Sequence, residues 1–298
     1  MTLALNRKIV YLIGSGRSGT TLMDVAIGNA ADVFSCGELN RYPKHKGIPT
    51  GVTECSLSGS FWRAFTGRFA EDCDWDRQRN LHWWFEYHLG AIARVFGIQL
   101  YPHYSEYKQF VSNLYSEIFD EIDESIIVDS SKYPGRALTV AELDDFEVVF
   151  VYIRRDPVSV VNSFSKTTTM QPSKSWLNAN LYYFSTNLLA QWTLKKLRRK
   201  HRVAEIRYED ILENPVEVLS GIQGQIGVDL SQSIRSVEMG TPWEVGALFE
   251  GNRIRVQSHL HLQKDLPEHP PTWKNRATRF FNQWVYPKPS KRNKPATA

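Results

Sequence analysis

The sequence lacks the features of a disulfide-rich, metal-clustered or membrane-spanning chain. Its 298 residues include only three cysteines, Cys36, Cys55 and Cys73. An odd number without a C-x-x-C pair predicts neither a disulfide framework nor a metal site. No apolar run approaches the roughly 18 residues that a membrane span needs, and residues 1–16 lack the order of a signal peptide. We therefore expect a cytoplasmic protein with reduced thiols, no bound metal and no membrane partner.

Neither sign of charge dominates the composition. The formal net charge is +4 and the isoelectric point is about 8.8. This mildly basic balance suits anionic ligands but is too weak to indicate nucleic-acid binding. With 42% hydrophobic and 12% aromatic residues, the chain can bury a full core. We expect no nucleic-acid partner, and the sequence leaves the oligomeric state open.

Four short runs rich in β-branched and aromatic residues are typical of buried strands. They are RKIVYLIG at 7–14, SIIVDSS at 125–131, EVVFVYI at 147–153 and RVAEIRY at 202–208. Helical patterns follow them, and Pro157 stands at the preferred first position of one helix. This alternation predicts an α/β fold, with three layers (α/β/α) around a central, mainly parallel sheet.

Other segments complete the predicted organisation. Residues 42–120 form a helical, aromatic-rich insertion, and a long helix is predicted over residues 175–200. One face of that helix carries Leu177, Leu181, Phe184, Leu188 and Trp192. Residues 287–298, PKPSKRNKPATA, have the composition of a disordered tail. We predict one domain over residues 1–286.

The stretch GSGRSGTT at residues 14–21 joins the first strand to a helix. The backbone N–H groups of such a loop and the dipole of the following helix attract an anion. Arg17 adds a guanidinium, and Ser18, Thr20 and Thr21 add hydroxyl donors. The sequence therefore predicts a phosphate or sulfate site at this strand end.

Three ligands compete for that loop. Its G-x-G-x-x-G spacing allows a dinucleotide, with Glu38 on the ribose, but helical residues 41–118 stand where further strands belong. A kinase P-loop would use Asp129 as its magnesium acid, but Thr20 replaces the lysine of that loop. An adenosine 5′-phosphosulfate group needs neither magnesium nor that lysine. A non-catalytic nucleotide-binding module remains a further alternative.

A second cationic strand end follows in VVFVYIRRDPVSVVNSF. Arg154 and Arg155 end the strand, and Ser163 lies on the following helix. Two separate cationic strand ends suggest a ligand with two anionic groups, whereas ion pairs with Asp156 and other acids are the structural alternative.

Together these motifs resemble the sulfotransferase family that uses 3′-phosphoadenosine 5′-phosphosulfate (PAPS). RSGTT at 17–21 is similar to the family's K/R-S-G-T-T loop, and Arg155 with Ser163 matches its 3′-phosphate site. RYEDIL supplies Tyr208 near the adenine, while GNRIR (251–255) and TWKN (272–275) are similar to the family's C-terminal segments. DSSK at 129–132 is common in bacterial members. The resemblance implies a P-loop-like sulfotransferase fold and PAPS as co-substrate, with a donor site whose residues are Gly16, Arg17, Ser18, Gly19, Thr20, Thr21, Arg155, Ser163, Tyr208, Gly251, Asn252 and Arg253.

The resemblance also implies catalytic roles. Animal cytosolic members carry a K-x-H segment, in which Lys132 has its match here but Pro134 replaces the histidine base. SCGEL resembles the C-G-E-E of tyrosylprotein sulfotransferases and offers Glu38 as general base. Lys132 and Arg17 would stabilise the transferring group. We expect sulfonate transfer to a hydroxyl, less so an amine, of a small natural-product acceptor lined by Trp83, Trp84 and Tyr87.

Overall fold

The computed structural model describes residues 7–98, 101–166, 173–251, 253–262, 266 and 268–287, without the side chains of residues 88 and 253. The strands in this part of the chain are β1 (Lys8–Gly14), β2 (Val33–Gly37), β3 (Ile126–Lys132), β4 (Glu147–Arg154), β5 (Val203–Arg207), β6 (Trp243–Glu244) and β7 (His259–Leu260). The helices are α1 (Thr20–Gly28), α2 (Leu57–Phe69), α3 (Trp75–Glu86), α4 (His88–Val95), α5 (Tyr104–Glu121), α6 (Pro134–Val140), α7 (Pro157–Ser165), α8 (Trp176–Leu197), α9 (Tyr208–Glu213), α10 (Pro215–Ile226), α11 (Ser231–Met239) and α12 (Trp273–Asn282).

Five of these strands form a parallel sheet in the order β2-β3-β1-β4-β5. The central strand β1 is apolar along almost its whole length and buried on both faces, as parallel sheets covered by helices require. Ile13 pairs with Lys132 of β3 and with Tyr152 of β4. The carboxyl ends of these strands therefore lie level with one another, and the loops that follow them share one edge of the sheet.

Alternate residues of β1 enter different cores. Ile9, Tyr11 and Ile13 pack with residues of α2, α3, α5, α6 and α8 on one face. Val10 and Leu12 pack with residues of α1, α10 and α11 on the other. The predicted α/β fold with helices on both faces of a parallel sheet is therefore confirmed, because period-two alternation sends apolar side chains to both sides.

The predicted strands at β1, β3, β4 and β5 are present, as are the helix that begins at Pro157 and the long helix α8. Strand β2 was missed, because VFSCG is short and its neighbours Asp32 and Glu38 dilute its apolar signal. The insertion at 42–120 contributes α2 to α5, which pack on the first core. Residues 288–298 of the predicted tail lie outside the described residues.

Two features are absent from the residues that the structure describes. No helix there is long and apolar enough to cross a membrane. No group of three or more His, Cys, Asp or Glu side chains in the same residues could hold a metal ion.

Candidate active site

An open cleft of about 720 Å³ runs along the carboxyl edge of the sheet. Its walls come from the loop after β1, the segment after β2, the ends of β3 and β4, and residues 250, 251, 254 and 255. The cleft brings together the predicted site residues Gly16, Arg17, Gly19, Thr20, Thr21, Glu38, Lys132, Arg155, Ser163, Tyr208 and Gly251. Ser18 lines no part of it, since its side chain is buried beneath the loop.

The loop after β1 presents the N-terminus of α1 to the cleft. Gly19 precedes the helix with φ of 98° and, as a glycine, contributes no capping side chain of its own. The first N–H groups of α1 point toward this end of the helix, and the helix dipole favours negative charge there. Arg17 also has a positive φ, 68°, so successive N–H groups of the loop can turn inward, as in an anion-binding nest.

Gly19 is required by the close approach of a ring. A Cβ built on it would lie 2.2 Å from the ring of Tyr208, which begins α9 at the end of β5. The guanidinium carbon of Arg155 lies 4.0 Å from the centre of the same ring, a cation–π distance. The glycine loop, Tyr208 and Arg155 therefore form one packed unit at the ends of three strands.

Arg155 is held in place without being neutralised. Its Nη1 donates to the carbonyl oxygen of Arg17 at 3.1 Å, and the backbone carbonyl of Arg155 accepts from Tyr183 Oη at 2.7 Å. It makes no ion pair with any carboxylate of the described residues. Asp156 instead accepts from the N–H groups of Val158 and Ser159 at the start of α7. A positioned, uncompensated guanidinium suits a bound phosphate.

Glu38 and Lys132 form an ion pair at the neighbouring strand ends. Glu38 follows β2, and Lys132 ends β3 with a left-handed φ of 73°. Arg41 Nε lies 3.6 Å from the other carboxylate oxygen of Glu38. Burial raises the pKa of Glu38, but Lys132 and Arg41 outweigh burial and hold that pKa below its ordinary value. The site therefore contains a carboxylate that is ionised at neutral pH.

Residues 249–251 join the C-terminal part of the chain to the end of β2. Phe249 N donates to Cys36 O at 2.9 Å, and Glu38 N donates to Glu250 O at 3.1 Å. The Glu250 side chain accepts from Thr50 N at 2.8 Å and pairs with Arg255 Nη1 at 3.2 Å. Asn252 lies outside the described residues, as does the side chain of Arg253. Of the predicted C-terminal residues, Gly251 alone is therefore placed at the cleft.

The aromatic residues proposed for the acceptor lie away from the cleft lining. Trp83 and Trp84 are exposed, and Trp84 stacks on Tyr101 in a separate pocket of about 180 Å³. Tyr87 approaches the cleft through ring contact with Tyr133, at 5.3 Å between centroids, and Tyr133 lines the cleft. The structure thus does not bring these three residues together with Glu38 and Lys132.

The sequence analysis did not predict several residues of the cleft lining, namely Arg41, Lys44, His45, Lys174, Tyr182, Glu250 and Arg255. Arg255 belongs to the quoted GNRIR motif, whose fifth letter was the available signal. Lys174 and Tyr182 carry no motif. Tertiary packing brings Tyr182 to the loop, where its hydroxyl accepts from Gly16 N at 3.0 Å.

Comparisons with known proteins agree with this geometry. Two solved structures share the fold over 95% of this chain. One is a sulfotransferase domain from the curacin biosynthetic pathway, 18% identical, with a TM-score of 0.53 and 99% of its own chain covered. The other is a sulfotransferase domain from the olefin synthase of Synechococcus PCC 7002, 16% identical, with a TM-score of 0.51 and 96% covered. The predicted sulfotransferase fold is therefore confirmed.

The family assignment rests on the sequence itself. No curated protein matches the chain. The model of the sulfotransferase family, however, matches residues 10–232, which include the glycine loop, the Glu38–Lys132 pair, Arg155 and Tyr208. Since this range covers well over half of the chain, the protein belongs to the sulfotransferase family and is a sulfotransferase enzyme.

Proposed function

We propose that the protein transfers the sulfonate group of PAPS to a hydroxyl group of a small acceptor. The observation that carries the proposal is the pair of anion sites in one cleft. One is the N-terminus of α1 behind Gly19, whose dipole favours an anion, and the other is the uncompensated guanidinium of Arg155. A nucleotide with a 5′-phosphosulfate and a 3′-phosphate supplies two anionic groups of this kind.

The donor would occupy the cleft in one orientation. Gly16, Arg17, Gly19, Thr20 and Thr21 would surround the 5′-phosphosulfate, with backbone N–H groups and the helix dipole favouring its charge. Arg155 and Ser163 would hold the 3′-phosphate, Tyr208 would lie near the adenine, and Gly251 would close the cleft beside Thr21. Ser18 would support the loop from beneath, and Asn252 and Arg253 remain predicted donor residues.

Glu38 and Lys132 would have different roles in the transfer step. The acceptor oxygen forms a bond to sulfur, the bond from sulfur to the 5′-phosphate oxygen breaks, and Glu38 takes the hydroxyl proton. Lys132 and Arg17 would stabilise the negative charge on the transferring sulfonate and the leaving phosphate. Lys132 pairs with Glu38 here. A donor that draws the ammonium toward its sulfonate would free the carboxylate to act as base.

A role in natural-product tailoring fits the two structural neighbours, both of which come from biosynthetic systems. The acceptor would then be a small molecule. Tyr133 lines the cleft next to Lys132 and contacts Tyr87, so we assign it to the acceptor side of the site.

A ligand panel tests the donor assignment. Thermal unfolding is measured with adenosine 3′,5′-bisphosphate, with ADP and magnesium, and with NAD. A ligand at one hundred times its dissociation constant stabilises the folded protein by about 2.7 kcal/mol. We expect this stabilisation from the bisphosphate, and stabilisation by ADP and magnesium in its place would contradict the proposal.

A matched pair of variants sharpens the test. Arg155→Met should weaken bisphosphate binding by at least about tenfold, corresponding to 1.4 kcal/mol. The adjacent Arg154 pairs with Glu205 at 3.0 Å and lies outside the cleft lining. Arg154→Met should therefore leave the affinity unchanged, and equal losses in both variants would remove Arg155 from the phosphate site.

A further inference from the structure

The cleft carries basic side chains that the proposed donor sites do not use. Arg41, Lys44 and His45 follow β2 and line the cleft beside Glu38. Lys44 makes no ion pair within the described part of the chain. Arg41 contacts Glu38 at 3.6 Å, which places its guanidinium next to the proposed base.

Charge balance shows that the donor alone does not neutralise this cleft. Its lining has seven basic side chains of the Lys and Arg types and two acidic side chains, Glu38 and Glu250. The donor brings about four negative charges: nearly two on its 3′-phosphate monoester, and about one each on the phosphate and the sulfate of the phosphosulfate group. Positive charge is therefore left over, and Arg41 and Lys44 stand where the donor motifs do not reach.

His45 lies close to several of these cations. Burial lowers the pKa of His45; Glu250 opposes this effect, and Lys44, Arg41 and Arg255 lower the pKa further. The imidazole thus lies among three cations and one carboxylate, in a region of positive potential.

We infer that Arg41 and Lys44 bind an anionic group of the acceptor, a carboxylate or a phosphate. The inference rests on the proposed function, since it names the acceptor of that same site. Because Arg41 touches Glu38, the anionic group and the hydroxyl to be sulfated lie close together on one molecule. The acceptor class is therefore a hydroxy acid or a hydroxyl-bearing phosphate ester.

Calorimetry on protein saturated with adenosine 3′,5′-bisphosphate tests this inference. The probes are 3-hydroxybutanoate, glycerol 3-phosphate and the neutral 1,3-butanediol. We expect the carboxylate or the phosphate to bind at least about tenfold more tightly than the diol, and the tighter of the two anions identifies the group. Equal affinity for the diol, or binding of neither anion, would overturn the inference.

Variants separate this subsite from the donor site. The double variant Arg41→Gln/Lys44→Gln should lose anion binding by at least about tenfold. Lys46→Gln, at an exposed lysine of the same segment outside the cleft lining, should not. Retained affinity in the double variant would contradict the inference. The bisphosphate titration of the wild type is read separately. If the bisphosphate does not bind the wild type, the donor assignment is refuted. The anion titrations can then be repeated without bisphosphate, and they still compare the double variant with the wild type.

A second, independent observation concerns the outer side of α8. Leu177, Leu181 and Trp192 lie on one stripe and are 56%, 48% and 39% exposed. Residues 176–194 contain no charged side chain. The buried side of the helix combines apolar core residues with hydrogen-bonded asparagines. Asn187 accepts from Tyr152 Oη, and Asn180 accepts from Asn282 Nδ2, both at 2.9 Å. These hydrogen bonds fix the helix with its apolar stripe facing outward.

The apolar face continues onto neighbouring helices. Phe96, 63% exposed, contacts Trp192 at 5.7 Å between ring centroids, and Leu89 and Ile92 follow the same side of α4. Phe281 of α12 contacts Phe184 of α8 at 5.3 Å. From typical side-chain areas, this face presents roughly 700 Å² of apolar surface. A monomer's largest patch is usually about 300–600 Å².

We propose that this face pairs with the same face of a second copy of the chain. The area is close to the roughly 800 Å² that each partner contributes to a stable interface of standard size. An uncharged apolar stripe is complementary to itself across a two-fold axis, as the interface of a symmetric dimer must be.

Sedimentation velocity at micromolar concentration tests the dimer. We expect the wild type to be a dimer and Leu181→Glu and Trp192→Glu to be monomers that keep bisphosphate binding. Met239→Glu serves as the control, because Met239 is 76% exposed on α11, away from this face. It should stay dimeric. A monomeric wild type, a dimer that survives both variants, or a monomer that floats with phospholipid vesicles would overturn the proposal.

Discussion

Glu38 is a buried carboxylate whose neighbours reverse the usual effect of burial. Burial raises the pKa of a carboxyl group, but the ammonium of Lys132 and the guanidinium of Arg41 bring the pKa of Glu38 below its ordinary value of 4.5. The group therefore stays ionised through the neutral range and loses its charge only at acidic pH. Such a carboxylate is ready to accept a proton but is a weak base until Lys132 moves away from it.

The first prediction concerns the change Glu38→Gln. We expect this variant to lower the rate of sulfonate transfer by about 10²–10⁴-fold, the usual contribution of a general base. Bisphosphate affinity should be unchanged, because Glu38 lies outside the two anion sites. The measurement is transfer from labelled PAPS beside a bisphosphate titration. Glu71→Gln, an exposed acid on the surface, is the control, and wild-type transfer by Glu38→Gln would remove Glu38 from the role of base.

A second acid, Asp24 of α1, shows the opposite behaviour. Burial raises its pKa to about 7, although the hydroxyls of Ser130 and Ser35 moderate the rise. Between its ordinary value of 3.8 and 7, the folded protein holds a proton that the unfolded chain has lost. The contribution of Asp24 to stability therefore falls as pH rises through this window.

The second prediction follows for Asp24→Asn. This variant should lose that part of the pH dependence, and its free energy of unfolding at pH 8 should exceed that of the wild type by up to roughly 4 kcal/mol. Urea unfolding at pH 5 and pH 8 measures both values. Asp144→Asn, at an exposed acid, should keep the wild-type pH dependence; an Asp24→Asn profile parallel to the wild type would contradict the assignment.

At the scale of the elements, a buried ionic cluster ties three helices to the sheet. Arg136 of α6 donates to Glu86 of α3 at 2.9 Å and to Asp129 at the end of β3 at 3.2 Å. Tyr107 of α5 donates to Glu86 at 2.9 Å. Asp129 also accepts from Ser131 N at 2.7 Å, so this acid has a structural role in the turn before α6.

The third prediction is the response to Arg136→Met. Removing the guanidinium leaves two buried carboxyl groups without their cation, which typically costs about 3–5 kcal/mol. Chemical denaturation measures the loss. Arg79→Met, at an exposed arginine that pairs with Asp76 at 3.0 Å, should change stability by less than about 1 kcal/mol. Similar losses in both variants would contradict a structural role for the cluster.

Sequence reasoning predicted those parts of the elements that depend on local pattern. The glycine loop and Arg155 could be predicted from the sequence because each follows a strongly apolar strand directly. Strand β2 was not, since five residues ending in Cys36 and Gly37 give little periodicity. The apolar stripe on α8 was predicted, but the sequence pattern did not show that this stripe faces outward. That direction depends on Asn180 and Asn187, whose partners Asn282 and Tyr152 are distant in sequence.

At the scale of the whole molecule, positive charge is concentrated rather than spread. The formal net charge is +4, yet the cleft lining alone has seven Lys and Arg side chains against two acids. The rest of the sequence therefore has a formal net charge of −1. A concave, basic site in such a molecule attracts an anionic nucleotide from a distance and orients its approach.

The fourth prediction is a strong salt dependence of bisphosphate binding. The screening length falls from about 10 Å at 0.1 M salt to about 3 Å at 1 M, so the dissociation constant should rise steeply between these conditions. Calorimetry over a salt series measures the slope, and neutral adenosine, if it binds, should show little change. A bisphosphate affinity independent of salt would contradict an electrostatic cleft.

The hydrogen bonds between residues 249–250 and the end of β2 have a kinetic consequence. Glu38 donates its backbone N–H to Glu250, and Gly251 lies against Thr21 at the start of α1. A donor bound against this segment would also act on the backbone that presents Glu38. We therefore expect an ordered binding mechanism, in which the nucleotide binds first. The acceptor binds afterwards, when Glu38 is already positioned as the base.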